Sequence, residues 1–153
     1  MSDDAANSVT LRFLAAPMDI GHSGSVDAGT VLEWVDKAAY AAAVGWSKSY
    51  CVTAYVGNIH FTDPVNSGDM VEVTSTIVYT GRSSMHIHTV VSSRDPKGGP
   101  ETMHSQCMVI FVAVGPDGKP IPVPSLSRQR LLKLSSATTP WRASKSASRS
   151  STR

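Results

Sequence analysis

Asp36 is a carboxylate inside an apolar helical run, Leu32-Glu33-Trp34-Val35-Asp36-Lys37-Ala38-Ala39, on the flank of the stripe such a run buries. A carboxylate so placed can take a proton from water or attack a polarised carbonyl. Ala28 and Gly29 open the same helix with small side chains, so a substrate can approach the backbone N–H groups left unpaired there. Such groups suit a developing oxyanion. Spacing alone nevertheless favours a plain reading of Asp36, an exposed helix acid paired with a neighbouring lysine. Gly81-Arg82-Ser83-Ser84 offers a guanidinium and two hydroxyls in one turn, suited to phosphate or equally to an ordinary turn. His86 and His88 share one face of a strand, with His104 further on. Cys107 and Asp95 complete no recognisable ligand spacing with them, so these histidines read as a polar sheet face or subunit interface rather than a metal site. His60 reads as structural.

The elements that must position these groups are few. Residues 9–15 form a first strand, and a polar loop runs from Asp19 to Gly29. The one convincing helix spans about Ala28–Val44, with Val31, Leu32, Val35, Ala38, Ala39 and Ala42 as its buried stripe. Asp27 has the chemistry of an N-cap, and Gly45 of a stop. Strands then follow at 50–61, 70–80, 84–94 and 102–114. Asp63-Pro64 with Ser67-Gly68-Asp69, Gly81-Arg82 and Asp95–Pro100 separate them as turns. One strand, one long helix and a run of consecutive strands predict an α+β domain, an antiparallel sheet wrapped around a single helix.

Charge divides the chain. Residues 1–118 carry six lysines and arginines against all twelve acids, while 119–153 carry eight basic residues and no acid. The body therefore gives no sign of nucleic-acid binding, and the mild overall basicity belongs to the tail. No stretch approaches the roughly 18 apolar residues of a membrane helix. The start, MSDDAANS, is acidic and polar, unlike a secretory signal, so a cytoplasmic location is expected. Cys51 and Cys107, far apart in sequence, are expected to be reduced. The domain plan is a flexible N-terminus over 1–7, the folded domain over 8–121, a short extension over 122–134 with room for a turn of helix, and a basic disordered tail over 135–153.

From Asp19, the segment D-I-G-H-S-G-S-V-D-A-G-T-V-L-E-W-V-D resembles the signature of the hotdog-fold acyl-CoA hydrolases. His22 and Gly24 match the family's loop, Gly29 the second glycine of its helix start, and Asp36 its acid. The similarity continues through Thr53 to Phe61, Pro64-Val65-x-x-Gly68-Asp69 and Gly81-Arg82-Ser83-Ser84-Met85, covering roughly residues 8–115. The resemblance implies a hotdog fold that hydrolyses an acyl-CoA to free acid and coenzyme A, with neither metal nor cofactor. Asp36 would be general base or nucleophile, the Ala28 and Gly29 amides would polarise the carbonyl, and Gly81, Arg82, Ser83 and Ser84 would hold coenzyme A.

Ala28 and Asp36 stand about 12 Å apart along one helix at roughly 1.5 Å per residue, too far to meet on one carbonyl carbon. Two antiparallel helices across a two-fold axis can bring them together, so a homodimer is expected, alone or as a trimer of dimers. The chain departs from the pattern twice. The family's Asn falls at Gly21, leaving His22 as the neighbouring substitute. Asp27-Ala28-Gly29 replaces an aromatic-Gly-Gly, with the Asp27 carboxylate expected to cap helix N–H groups. A hydratase lacks its D-x-x-x-x-H here. The competing reading is a weak or inactive hotdog module that binds acyl-CoA or serves assembly, and a further one lets the basic tail bind nucleic acid or anionic lipid.

Overall fold

The computed structural model describes residues 7–127. The basic tail, most of the N-terminal segment and the second half of the expected extension lie outside the described residues. Five strands and one long helix follow in the order β1 (Ser8–Leu14), α1 (Ala28–Ser47), β2 (Cys51–Phe61), β3 (Met70–Thr80), β4 (Ser84–Arg94) and β5 (Thr102–Ala113). The strands form one antiparallel sheet in the order β1-β3-β4-β5-β2, with α1 packed across one face. This is the expected hotdog arrangement.

Alternation along the strands decides which side chains meet the helix. Val71, Val73 and Ile77 of β3, Met85, Ile87 and Val91 of β4, and Val109, Phe111 and Ala113 of β5 are all buried on that face. His86 and His88 take the opposite face, where His86 stacks edge-on with Tyr79 and His88 Nε2 lies 3.4 Å from Gln106 Oε1. The helix answers with alanines: Ala38, Ala39 and Ala43 are fully buried, and side chains this short let α1 lie close against the sheet. Two hydroxyls on the core face, Ser75 and Thr89, hydrogen-bond each other at 2.8 Å and so remain satisfied.

Two details of the helix differ from the sequence expectation. It does not stop at Gly45 but runs to Ser47, and Lys48 closes it in the left-handed conformation (φ 56°). Trp46 explains the extra turn: it is buried, and its Nε1–H donates to Pro124 O at 2.8 Å. The buried stripe also includes Trp34, Ala43 and Trp46, while Leu32 is only half-buried. Trp34 packs edge-on against Phe13 of β1, ring centroids 4.8 Å apart.

After β5 the chain continues without helix as far as it is described. Val123 N–H donates to Arg82 O at 2.8 Å and Leu126 N–H to Thr80 Oγ1 at 2.9 Å, laying this segment over the β3–β4 turn. Val123 and Leu126 are buried there, so residues 122–127 pack as part of the domain rather than as a helical turn beyond it. Among the described residues β2 is an edge strand, bonded only to β5, with bulges near Tyr55 and Asn58. It leaves Val52, Tyr55, Val56 and Phe61 exposed.

Candidate active site

Asp36 emerges from α1 on its exposed side, beside β2. Among the described residues it pairs with no lysine, and Lys37 bridges instead to Glu33 one turn earlier at 2.9 Å. Its partner is Thr53, the third residue of β2, whose hydroxyl donates to Asp36 Oδ1 at 3.0 Å. One carboxylate oxygen is thus held, and the other is open to solvent or substrate. That contact gives Thr53 a role the sequence alone does not assign; the strand match at Thr53 is its only sequence signal.

The N-terminus of α1 is uncapped. Asp27 has N-cap backbone geometry (φ −67°, ψ 150°), and its carbonyl accepts the first helical bond from Val31 N–H at 3.1 Å. Its side chain makes no capping bond, contrary to expectation. The reason lies in the preceding loop. Ile20 and Val26 form a bridge, and Gly21 N–H donates to Ser25 O at 2.9 Å, which folds Asp27 back over Gly21. A Cβ at residue 21 would overlap the Asp27 carboxyl group. The space an Asn would need is therefore filled by this acid, and the amides of Ala28 and Gly29 precede the first intrahelical bond with no side-chain cap. A cleft of about 210 Å³ opens there, lined by Val26, Ala28, Val31, Phe61, Asp63 and His104, among others.

His22 is exposed in the turn of that loop, and Gly24 supplies its positive φ of 81°. Arg82 is exposed and Ser83 and Ser84 half-buried in the β3–β4 turn, closed by Gly81 N–H to Ser84 O at 2.9 Å. This turn meets the strap that receives Trp46, so it lies at the C-terminal end of α1, opposite Ala28. A single chain brings Asp36 to Thr53. It does not bring Asp36, the Ala28–Gly29 amides and Arg82 to one point. No group of three His, Cys, Asp or Glu side chains converges on a possible metal position among the described residues. Cys51 and Cys107 are free and buried, and burial pushes both thiols up, Cys107 to about 11.

The chain is 27% identical over 108 residues to an uncharacterized acyl-CoA thioester hydrolase of Bacillus subtilis, YkhA, covering 71% of this chain and 63% of that protein. It therefore spans less than two thirds of that relative's length. It is 29% identical over 127 residues to the acyl-CoA thioester hydrolase YciA of Salmonella typhimurium, covering 81% of this chain and 96% of that one. Among solved structures, a hexameric acyl-CoA thioesterase superposes with a TM-score of 0.76 and 29% identity, covering 86% of this chain and 87% of the other. The thioesterase superfamily pattern matches residues 24–99, from the loop ahead of α1 to the β4–β5 turn. With that match across α1 and β2–β4 and the superposition of the whole fold, the chain belongs to the thioesterase superfamily.

Proposed function

We propose that the protein hydrolyses an acyl-CoA thioester to a free acid and coenzyme A, with Asp36 as the catalytic carboxylate. The observation that carries this reading is the Asp36–Thr53 hydrogen bond, which holds one oxygen of an exposed helix carboxylate and leaves the other open. The relatives named above as acyl-CoA thioester hydrolases supply the substrate class. As general base, Asp36 takes the proton of the attacking water, the carbonyl oxygen gathers negative charge, the C–S bond breaks, and that proton passes to the departing coenzyme A sulfur. As nucleophile, it displaces the coenzyme A thiolate to form an acyl-aspartate anhydride, which water then hydrolyses to the free acid, restoring the carboxylate and supplying the proton to the thiol. Backbone amides at Ala28 and Gly29 polarise that carbonyl. His22 stands on the loop beside them, and Gly81, Arg82, Ser83 and Ser84 hold the nucleotide end of coenzyme A.

The working unit in this reading is a homodimer, and its site is composite. Thr53 lies near the start of β2, while Phe61 at its end lines the Ala28 cleft. Two β2 strands paired antiparallel across a two-fold axis would set the start of one beside the end of the other. Asp36 of one protomer then faces the helix start of its partner, removing the 12 Å obstacle. The exposed Val52, Tyr55, Val56 and Phe61 support such burial of the β2 edge. A trimer of these dimers fits the solved neighbour described as hexameric. The two free thiols support action in the cytoplasm, and no described helix is long and apolar enough to cross a membrane.

Asp36→Asn tests the assignment. It keeps the hydrogen bond to Thr53 within reach but removes the charge, so thioester hydrolysis should fall at least about a hundredfold. Near-normal turnover with unchanged circular dichroism would contradict it. Absence of free thiol release by the wild-type protein, with acyl-CoA still bound, would favour the binding module instead.

A further inference from the structure

His104 sits on β5 with 4% of its surface exposed, and both ring nitrogens are engaged. Nδ1 lies 2.7 Å from Asp63 O, and because a carbonyl only accepts, Nδ1 carries the proton. Nε2 lies 2.5 Å from the hydroxyl of Ser93, which is buried and in turn 3.3 Å from Asp69 Oδ2. An imidazole fixed at both ends has one orientation.

The carbonyl it holds begins the segment Asp63-Pro64-Val65. Val65 is buried, and its carbonyl accepts Val26 N–H at 3.0 Å. Val26 directly precedes Asp27, the N-cap, and Ala28. His104 and Ala28 line the same cleft. A short path therefore runs from the imidazole, through one loop and one strand-like bond, to the amides at the start of α1.

We propose that His104 is a positioning residue: by holding Asp63 O it fixes the 63–65 segment, and through Val26 fixes the direction of the Ala28 and Gly29 amides. The inference rests on the reading of those amides as carbonyl donors. The base of the segment is tied independently, by Thr62 N–H to His104 O at 2.9 Å and Thr62 Oγ1 to Met103 O at 2.8 Å. Those bonds use backbone carbonyls of β5, so they survive replacement of the imidazole. What is lost is aim, not the fold.

Two replacements separate the two ring nitrogens. His104→Asn places an amide N–H where Nδ1–H stood, whereas His104→Gln reaches the Nε2 position and leaves Asp63 O without its donor. Hydrolysis of a series from acetyl- to palmitoyl-CoA is followed by thiol release, together with hydrogen exchange of residues 26–30. His104→Gln should lower kcat at least about tenfold, with KM changed less than about twofold, the pattern expected when donors lose aim rather than substrate. Exchange at Val26–Thr30 should accelerate alongside. His104→Asn and Ser93→Ala, which keep a donor on Asp63 O, should retain most of kcat and wild-type exchange. Equal behaviour of the Asn and Gln variants, or loss of kcat in Ser93→Ala, would overturn the proposal, and the latter comparison stands even if His104→Gln fails to fold. Wild-type protein that releases no thiol from any of the series would refute the thioesterase reading instead, and exchange alone would then decide whether His104 holds the helix start.

Discussion

At the scale of single residues, the Asp36 carboxylate is defined less by its helix than by the strand beside it. Thr53 donates to Oδ1, so the free oxygen has a set direction. Thr53→Val keeps the β-branched shape and removes the hydroxyl. It should lower kcat about tenfold while KM stays within about twofold, because the hydrogen bond orients the acid without binding substrate. An unchanged kcat would detach Thr53 from the site. The sequence singles out Asp36 as a candidate, since its place after a Gly-containing helix start matches a family pattern. Its partner was not: residues 36 and 53 lie on different elements, and only folding places them together. Cys107 offers a second residue-scale test. Its thiol is pushed up from 9.0 to about 11 by burial, so the folded state favours the neutral form. The contribution is fully present below pH 9 and is lost as pH rises from 9 to about 11, because the unfolded thiol ionises first. Denaturation midpoints should fall across that window, and Cys107→Ala should flatten the fall. An equal slope in the variant would place the effect elsewhere.

At the scale of elements, the turn residues marked every strand boundary within a residue or two. Gly81-Arg82 and Asp95–Pro100 interrupt runs of alternating β-branched residues, and two hairpins result. The helix end was less legible. Gly45 is a competent stop by local chemistry, but a glycine inside a helix costs only about 1 kcal/mol relative to alanine. Burying Trp46 outweighs that cost. Its indole also bonds to Pro124, nearly eighty residues away, a contact no local pattern contains. Trp46→Phe keeps most of the apolar surface but leaves Pro124 O without this donor. Chemical denaturation should show a loss of about 1 to 3 kcal/mol, and the strap over the β3–β4 turn should loosen to proteolysis first. A variant as stable as the wild type would mean the strap is held by Val123 and Leu126 alone. Asp27 failed as a cap for a similar reason. The loop folds its carboxylate over Gly21, and a residue without Cβ is what leaves room for it.

At the scale of the whole molecule, the described residues leave the β2 edge of the sheet open, and the proposed chemistry lies along that edge. β2 is as rich in apolar residues as the inner strands, which made it legible as a strand and gave no hint that it would be exposed. Asp36 and Thr53 stand near one end of β2 and the Ala28 cleft near the other. Each proposed site is therefore built from two chains, and complementation between defective protomers tests this most directly. Ala28→Pro removes one of the proposed donor N–H groups. It fits the first helical turn, and Asp27 before it already has the extended backbone that a following proline prefers. Ala28→Pro and Asp36→Asn homodimers should each be nearly inactive. In a mixed dimer one site receives the intact Asp36 and the intact Ala28 amide, while the other carries both defects. After equal mixing and subunit exchange verified by mass, random pairing predicts recovery of up to about a quarter of wild-type thioesterase activity. Exchange without any return of activity would show that Asp36 and Ala28 do not meet across an interface, and would contradict the composite site.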